Sequence, residues 1–221
     1  MPRKIIGAAF ISLDGVVQAP GGPGEDESGG FDHGGWFQPV GDEAVDEQIG
    51  ALFSGDFDLL LGRRTYDLFA SYWPFQPLDN PFAVKFAEAG KYVLTRSDMP
   101  LDWANSHRLA GLDALAATKE EDGPNLVIQG SSTLYPQLLE AALLDRLVLM
   151  IAPVTLGAGK RLFGDRTPPG TMKLIEQRTG AGGCLIATYE PAGPIKTGTF
   201  ETQAPSEKEL SRRERAKAGE W

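Results

Sequence analysis

Two arginines, Arg63 and Arg64, follow the apolar run DFDLLLG, and a third, Arg96, closes the run KYVLT. A further run, NLVIQ, opens into Gly130, Ser131 and Ser132. A strand that ends in a glycine- or hydroxyl-rich turn and then starts a helix leaves backbone N–H groups and small side chains at one sheet edge. That edge is where an anion can sit. The arginines add fixed positive charge suited to phosphate oxygens. The chemistry these three turns suggest is the holding of a phosphorylated, dinucleotide-sized ligand.

For proton transfer, the N-terminal half offers Asp14, His33, Asp42, Glu43, Asp46 and Glu47. On a helix capped by Asp42, the residues Val45, Ile49, Leu52 and Phe53 form one apolar stripe, with Glu43 and Glu47 opposite it. Asp46 lies at the edge of the stripe, which makes it the best general-acid candidate; the alternative is an ordinary solvated carboxylate. His33, in a loop, and His107, in or beside a short strand, have no context that marks them as catalytic. Trp36, Trp73 and Phe75 stand outside the periodic segments, either lining a pocket for a ring or packing their own loops. The cluster Gly21 to Gly24 follows no strand and lacks the last glycine of a dinucleotide fingerprint. In GAGKR, Gly157 to Arg161, Val154 replaces the first glycine of a phosphate loop and Arg161 its Ser or Thr. With two histidines and the single Cys184, neither an intrachain disulfide nor a conventional Cys/His zinc site can be assembled, and no metal is expected.

The elements that must position these residues alternate. Lys4 to Ser12 reads as a buried strand, followed by a Gly/Pro-rich loop, SLDGVVQAPGGPGEDESGG, long enough to be mobile or to cover a site. The spacing then predicts a helix over 42–53, a strand over 57–61, a helix over 64–71, the proline-broken YWPFQPLDNP, a helix over 82–89 and a strand over 91–95. A short strand near His107, a helix over 112–118, a strand over 125–129, a helix over 133–143 and a strand over 145–155 follow. MKLIEQRT and CLIATYEP, on either side of TGAGG, read as an antiparallel pair. The fold class is α/β, ending in antiparallel strands. Residues 196–221 are polar and charged and are expected to be disordered or ordered only on a partner, leaving 1–195 as the folded domain.

At 221 residues and 42% hydrophobic content, the chain can bury a substantial core. Its 21 basic against 30 acidic residues, net −9, disfavour nonspecific attraction to nucleic acid or an anionic membrane. The N-terminal apolar stretch is broken by Asp14 and reads as a strand rather than a signal peptide. No run approaches the roughly 18 apolar residues of a membrane span. A reduced, cytoplasmic protein is expected.

GRRTYDLF, LTRS, VIQGSSTLYPQLL and DRLVLMIAPVTLGAGKRLF, in this order and each after or within a strand, resemble the dihydrofolate reductase superfamily. ISLDG after the first strand and PVTLGAGKRLF point to its RibD C-terminal, riboflavin-biosynthesis reductase-like branch, over about residues 3–190. The resemblance implies a three-layer fold with a twisted, mostly parallel sheet and NADPH held across the strand ends. By that resemblance, Gly62, Arg64 and Thr65 meet the pyrophosphate, and Arg63, Arg96 and Ser97, with Thr95 in the same turn, the 2′-phosphate. Gly130, Ser131, Ser132 and Leu134 lie near the pyrophosphate and nicotinamide half. Ala9, Ser12, Asp14 and Gly15 border the nicotinamide, with Val154 and Thr155 nearby. It also implies a homodimer and a small heterocyclic substrate of the pyrimidine or pterin kind, 5-amino-6-(5-phosphoribosylamino)uracil in the riboflavin branch. The glycine-rich turn of the folate enzymes appears here as QGSS with no following arginine, and their helix carboxylate has only Asp46 as a stand-in. The zinc deaminase signature of bifunctional riboflavin enzymes needs more than one cysteine, so only a reductase-type domain is expected. A protein that binds NADP or a related nucleotide without turnover, as a sensor or subunit, is the alternative.

Overall fold

A computed structural model describes residues 2–77 and 79–220. Met1, Leu78 and Trp221, which belong to the expected domain, proline-broken segment and tail, lie outside the described residues. Eight strands form one sheet: β1 (Ile5–Ser12), β2 (Phe57–Gly62), β3 (Lys91–Leu94), β4 (Ser106–Leu109), β5 (Asn125–Gln129), β6 (Arg146–Ala152), β7 (Met172–Thr179) and β8 (Leu185–Pro191). Their order is β4-β3-β2-β5-β1-β6-β8-β7. The first six are mutually parallel, and β8 and β7 close the sheet in antiparallel fashion.

Strand periodicity explains the three layers. Along β1, Ile5, Ala9 and Ile11 enter one core, while Ala8 and the half-buried Ile6 and Phe10 enter another on the opposite face. In β6, Leu147 and Leu149 alternate with Val148 and Met150 in the same way. Helices α4 (Leu112–Glu120) and α5 (Tyr135–Glu140) cover the first face through Leu115, Tyr135 and Leu138. Helices α1 (Glu43–Leu52), α2 (Arg63–Tyr72) and α3 (Pro81–Glu88) cover the other through Val45, Tyr66 and Phe86. Gly7 is required beneath α5, because a Cβ there would stand 2.4 Å from the Tyr135 ring.

Several boundaries differ from the sequence reading. The segment expected as one helix over 133–143 is a 3-10 turn, Ser132–Leu134, followed by the six-residue α5. Ala142 takes a left-handed conformation (φ 53°), which stops the helix and lets Leu143 and Leu144 fold back onto the Leu138 carbonyl. The strand expected to reach Thr155 ends at Ala152, before Pro153, which has no N–H to pair. The Gly/Pro-rich loop after β1 is anchored rather than free. Buried Gln18 donates to the carbonyls of Asp26 and Ser28 and accepts from the Lys160 N–H, and Trp36 Nε1 donates to the Gln18 carbonyl.

The tail, expected to be disordered or ordered only on a partner, carries helix α6 (Glu207–Lys217). Ser206 caps it, and ion pairs of Glu209 with Arg212 and Arg213 and of Glu214 with Lys217 run along it, but none of its residues is buried. Exposed pairs of this kind are local to the helix and screened by solvent, and with no buried residue the helix owes little to the body of the protein. Deletion of residues 197–221 should therefore leave the thermal unfolding midpoint unchanged. A lowered midpoint or lost cooperativity on truncation would show that the tail belongs to the core.

Candidate functional site

Because β1 to β6 are parallel, their C-terminal ends lie on one edge, and the order of the sheet sets the turns side by side. Across adjacent strands β3, β2, β5, β1 and β6 they run Thr95–Ser97, Gly62–Thr65, Gly130–Leu134, Ser12–Gly15 and Val154–Thr155. All seventeen residues expected to border a cofactor thus lie on, or directly follow, the C-terminal halves of five neighbouring strands. Ala9, Ser12, Ser131 and Leu134 are themselves buried, forming the floor of this edge rather than its open surface.

The central two turns are tied together. The Gly62 N–H donates to Ser131 Oγ (2.9 Å), and the Ser131 N–H donates to Thr65 Oγ1 (3.0 Å). Gly130 (φ 75°) and Ser131 (φ 47°, ψ 43°) are both left-handed, and a Cβ on Gly130 would meet Thr65 Cγ2 at 3.2 Å. The Gly62 amide and one lone pair of Thr65 Oγ1 thus hold the QGSS turn against the start of α2, and the Thr65 hydroxyl proton is not used in either bond. The helix start itself stays open. Helices α1, α3 and α6 are capped by the side chains of Asp42, Asn80 and Ser206, whereas α2, like α4 and α5, has no side-chain cap. Its leading N–H groups and positive dipole end face the strand-end edge.

The arginines divide into two kinds. Arg63, expected at a 2′-phosphate, forms a two-point pair with Asp67 one turn along α2 (2.9 and 2.8 Å) and donates to the Met99 and Pro100 carbonyls. The physical reason is the i,i+4 spacing, which sets Asp67 beside Arg63 on the helix surface. Arg64 and Arg96 are exposed, and among the described residues neither guanidinium has a hydrogen bond or ion pair. Sequence reasoning missed Arg108 on β4, which donates to the Ser97 carbonyl and to the Met99 carbonyl (2.7 Å). Only the pairing of β3 with β4 brings it there.

At the other end of the row, Asp14 braces two loops. Its carboxylate accepts from Ser12 Oγ (2.6 Å) and from the Leu156 (3.1 Å) and Gly157 (2.7 Å) amides, and the Leu13 N–H donates to the Val154 carbonyl. The Ser12 hydroxyl first, then the loop amides, hold Asp14 down at about 2. Its folded value lies below the ordinary 3.8, so the brace is complete above that pH and is lost as pH falls from 3.8 towards about 2. An Asp14→Asn variant should lose that segment of the acid-unfolding profile, measured by circular dichroism against the parent chain. Retention of the full acid transition would assign it to other carboxylates.

The basic residues of GAGKR are likewise used internally. Lys160 pairs with Asp26, and Arg161 donates to the Gly157 carbonyl and lies 3.8 Å from Asp14. Asp46 is exposed in the first turn of α1, and among the described residues its carboxylate has no hydrogen-bond partner. Asp42, the cap of α1, accepts from the Gly182 amide (2.7 Å), which docks this end of the helix on the β7–β8 turn beside the end of β6. Trp36 and Trp73 are core packing, with Phe37 and with Phe69 and Phe86 respectively; only Phe75 stays exposed. His33 Nε2 lies 3.4 Å from Asp32 Oδ1, and His107 stacks on Tyr92. Two surface hollows, of about 450 Å³ in the tail and about 290 Å³ between the Ser28–His33 and Ala158–Lys160 segments, both lie away from the arginine turns.

The RibD C-terminal domain family matches residues 3–186, from β1 into β8. The chain belongs to that family. A Bacillus subtilis protein of uncharacterized function, YyaP, is 28% identical over 198 residues, covering 85% of this chain and 94% of its own. Among solved structures, a candidate riboflavin biosynthesis protein from Shewanella sp. PV-4 is similar at TM-score 0.62 and 21% identity, covering 87% of this chain and 99% of that one. A pyrimidine reductase-like protein from Corynebacterium diphtheriae is similar at TM-score 0.54 and 16% identity (86% and 92% covered). Dihydrofolate reductase from Enterococcus faecalis, complexed with NADP(H) and RAB-propyl, is similar at TM-score 0.52 and 17% identity (85% and 96% covered). The RibD C-terminal domain described here therefore has a dihydrofolate reductase-like fold, and its family is of reductase type. Among its described residues no helix is long and apolar enough to cross a membrane.

Proposed function

We propose that this RibD C-terminal domain is an NADPH-dependent reductase that delivers hydride to a small polar heterocycle of the pyrimidine or pterin kind, with the riboflavin-pathway aminouracil named above as first candidate. One observation carries the reading: five neighbouring strand ends form a continuous edge with the uncapped start of α2 and the unpartnered Arg64 and Arg96 on it. A helix N-terminus and two free guanidiniums fit a pyrophosphate and a further phosphate. The dinucleotide bound in the E. faecalis neighbour supports the same choice of ligand.

Bound NADPH would supply the hydride from its dihydropyridine ring. The chain's own residues divide the remaining work. Arg64 and the leading amides of α2 hold the pyrophosphate, Arg96 the 2′-phosphate, and the Gly130–Ser132 turn fixes the chain path between them. Asp14, by bracing the Ser12–Gly15 and Val154–Gly157 loops, keeps the floor at the reactive end rigid. Proton delivery falls to water or to Asp46. We place the protein in the cytoplasm as a homodimer; the exposed Leu174 and Ile175 on edge strand β7 support the second, and sedimentation equilibrium checks it.

NADPH should stabilise the purified chain by mass action, about 2.7 kcal/mol at one hundred times its dissociation constant. A thermal midpoint that does not move at millimolar NADPH would overturn the reading. The second reading, a nucleotide-binding protein without turnover, is favoured by the exposure of Asp46, since no enclosed acid waits at the edge. Loss of NADPH absorbance with a panel of aminouracils, dihydropterins and carbonyl compounds supports the reductase; tight binding with no oxidation across the panel supports the second.

A further inference from the structure

The loop after β3 is held by two arginines from different elements. Arg108 on β4 donates to the carbonyls of Ser97 and Met99, and Arg63 on α2 donates to those of Met99 (3.0 Å) and Pro100 (3.1 Å). Both guanidiniums meet at the Met99 carbonyl, and Arg63 is itself fixed by its two-point pair with Asp67. Water would satisfy those exposed carbonyls without ordering two long side chains, each of which gives up up to about 2 kcal/mol of rotamer freedom. The gain is a fixed loop. Its inner bonds agree: the Ser97 N–H donates to Thr95 Oγ1, and the Met99 N–H to Ser97 Oγ.

Arg96 sits inside this loop, one residue before the first clamped carbonyl; it is exposed, and among the described residues its guanidinium is the one cation of the loop without a hydrogen bond or ion pair. Because N–H and C=O of a trans peptide point in opposite directions, holding the Ser97 carbonyl on Arg108 turns the Asp98 N–H the other way. The Asp98 amide has no hydrogen bond among the described residues. The clamp thus fixes the backbone that carries Arg96 and turns the Asp98 donor away from Arg108.

We propose that Arg63 and Arg108 are positioning residues for coenzyme choice: they hold the Thr95–Pro100 loop so that Arg96 meets the 2′-phosphate of NADPH, without touching the phosphate themselves. This rests on the NADPH reading above and deepens it. Arg108 acts through Arg96, so the two substitutions must be coupled.

The test is calorimetric titration of the full chain with NADPH and with NADH, for the wild type and for Arg108→Met, Arg63→Met, Arg96→Ala, Arg108→Lys and the Arg96→Ala/Arg108→Met pair. Expected are a loss of about tenfold or more in NADPH affinity for Arg96→Ala and for each Met variant, the scale of a hydrogen bond to a charged group, with NADH affinity unchanged. Arg108→Lys should restore part of it, and the double variant should be no worse than Arg96→Ala alone. Equal losses for both coenzymes would reduce the clamp to general support. Additive losses in the double variant, or an unchanged NADPH to NADH ratio in the Met variants of a wild type that prefers NADPH, would also overturn the inference while leaving the reductase reading in place. A wild type that binds neither dinucleotide would remove both.

Discussion

A Gly130→Val variant should lose at least tenfold in affinity for NADPH and NADH alike, and should unfold at a lower temperature. Gly130 sits at φ 75°, where a β-branched residue is a genuine outlier, and its missing Cβ faces Thr65 Cγ2 at 3.2 Å. Holding valine there costs on the order of 1–3 kcal/mol of backbone strain before any clash is counted. The chain can relax only by moving the QGSS turn away from α2, which breaks the pair of bonds between Gly62 and Ser131 and between Ser131 and Thr65. That pair aligns the two central turns of the row, so both coenzymes suffer, in contrast to substitutions in the Arg96 loop. Titration calorimetry with both dinucleotides beside a thermal melt decides it. Unchanged affinity in a destabilised variant would place the dinucleotide elsewhere than along this edge.

Lys91→Met should make the protein more stable at pH 7 by roughly 1–3 kcal/mol and remove a pH dependence that the parent shows. Lys91 starts β3, at the opposite edge of the sheet, and is fully buried. Its ammonium donates to the Ala87 carbonyl (2.9 Å) and lies 4.4 Å from the Trp103 ring centre, with Asp58 giving only long-range support. Burial, opposed in part by Asp58, pushes it down from 10.5 to about 8. Between those two values the unfolded chain binds a proton that the folded chain does not. Stability therefore rises with pH from about 8 to 10.5 and is flat, and lowest in this respect, below 8. Methionine has similar length and no charge to desolvate, and the Ala87 carbonyl keeps its bond from Asn105 Nδ2 (3.1 Å). Urea unfolding at pH 7 and pH 10 compares the two chains. A variant less stable than the parent at pH 7, or one that keeps the slope, would show that the ammonium is a net support of the fold.

Two of the three turns open a helix as read, into α2 and into the 3-10 turn before α5, and were legible because they rest on local rules; the third, after β3, leads through a loop into β4 with no helix between. Alternating apolar runs, a cap at Asp42 and glycine at a turn state their structure within a few residues, and the elements around the site came out within a few positions of the sequence reading. Where boundaries failed, as at α5 and the end of β6, a single conformation at Ala142 or the missing N–H of Pro153 outweighed the apolar pattern. The tail helix escaped notice because it is solvated on all sides, so no apolar stripe marks it. The Arg63–Asp67 pair was readable from its i,i+4 spacing; Arg108 gave no local signal at all.

By itself the sequence marked where most strands end, that three of these ends carry glycine, hydroxyl or cationic side chains, and a resemblance to the RibD C-terminal family. What each cation does was decided only by the tertiary structure. Charge and position in the chain are local properties, and by them Arg63, Arg64 and Arg96 are equivalent. Whether a guanidinium stays free depends on which acceptors the other elements bring within about 3 Å of it. Placing β4 beside β3, and α2 over the loop between them, gave Arg63 and Arg108 the carbonyls of Ser97, Met99 and Pro100, and left Arg64 and Arg96 with none.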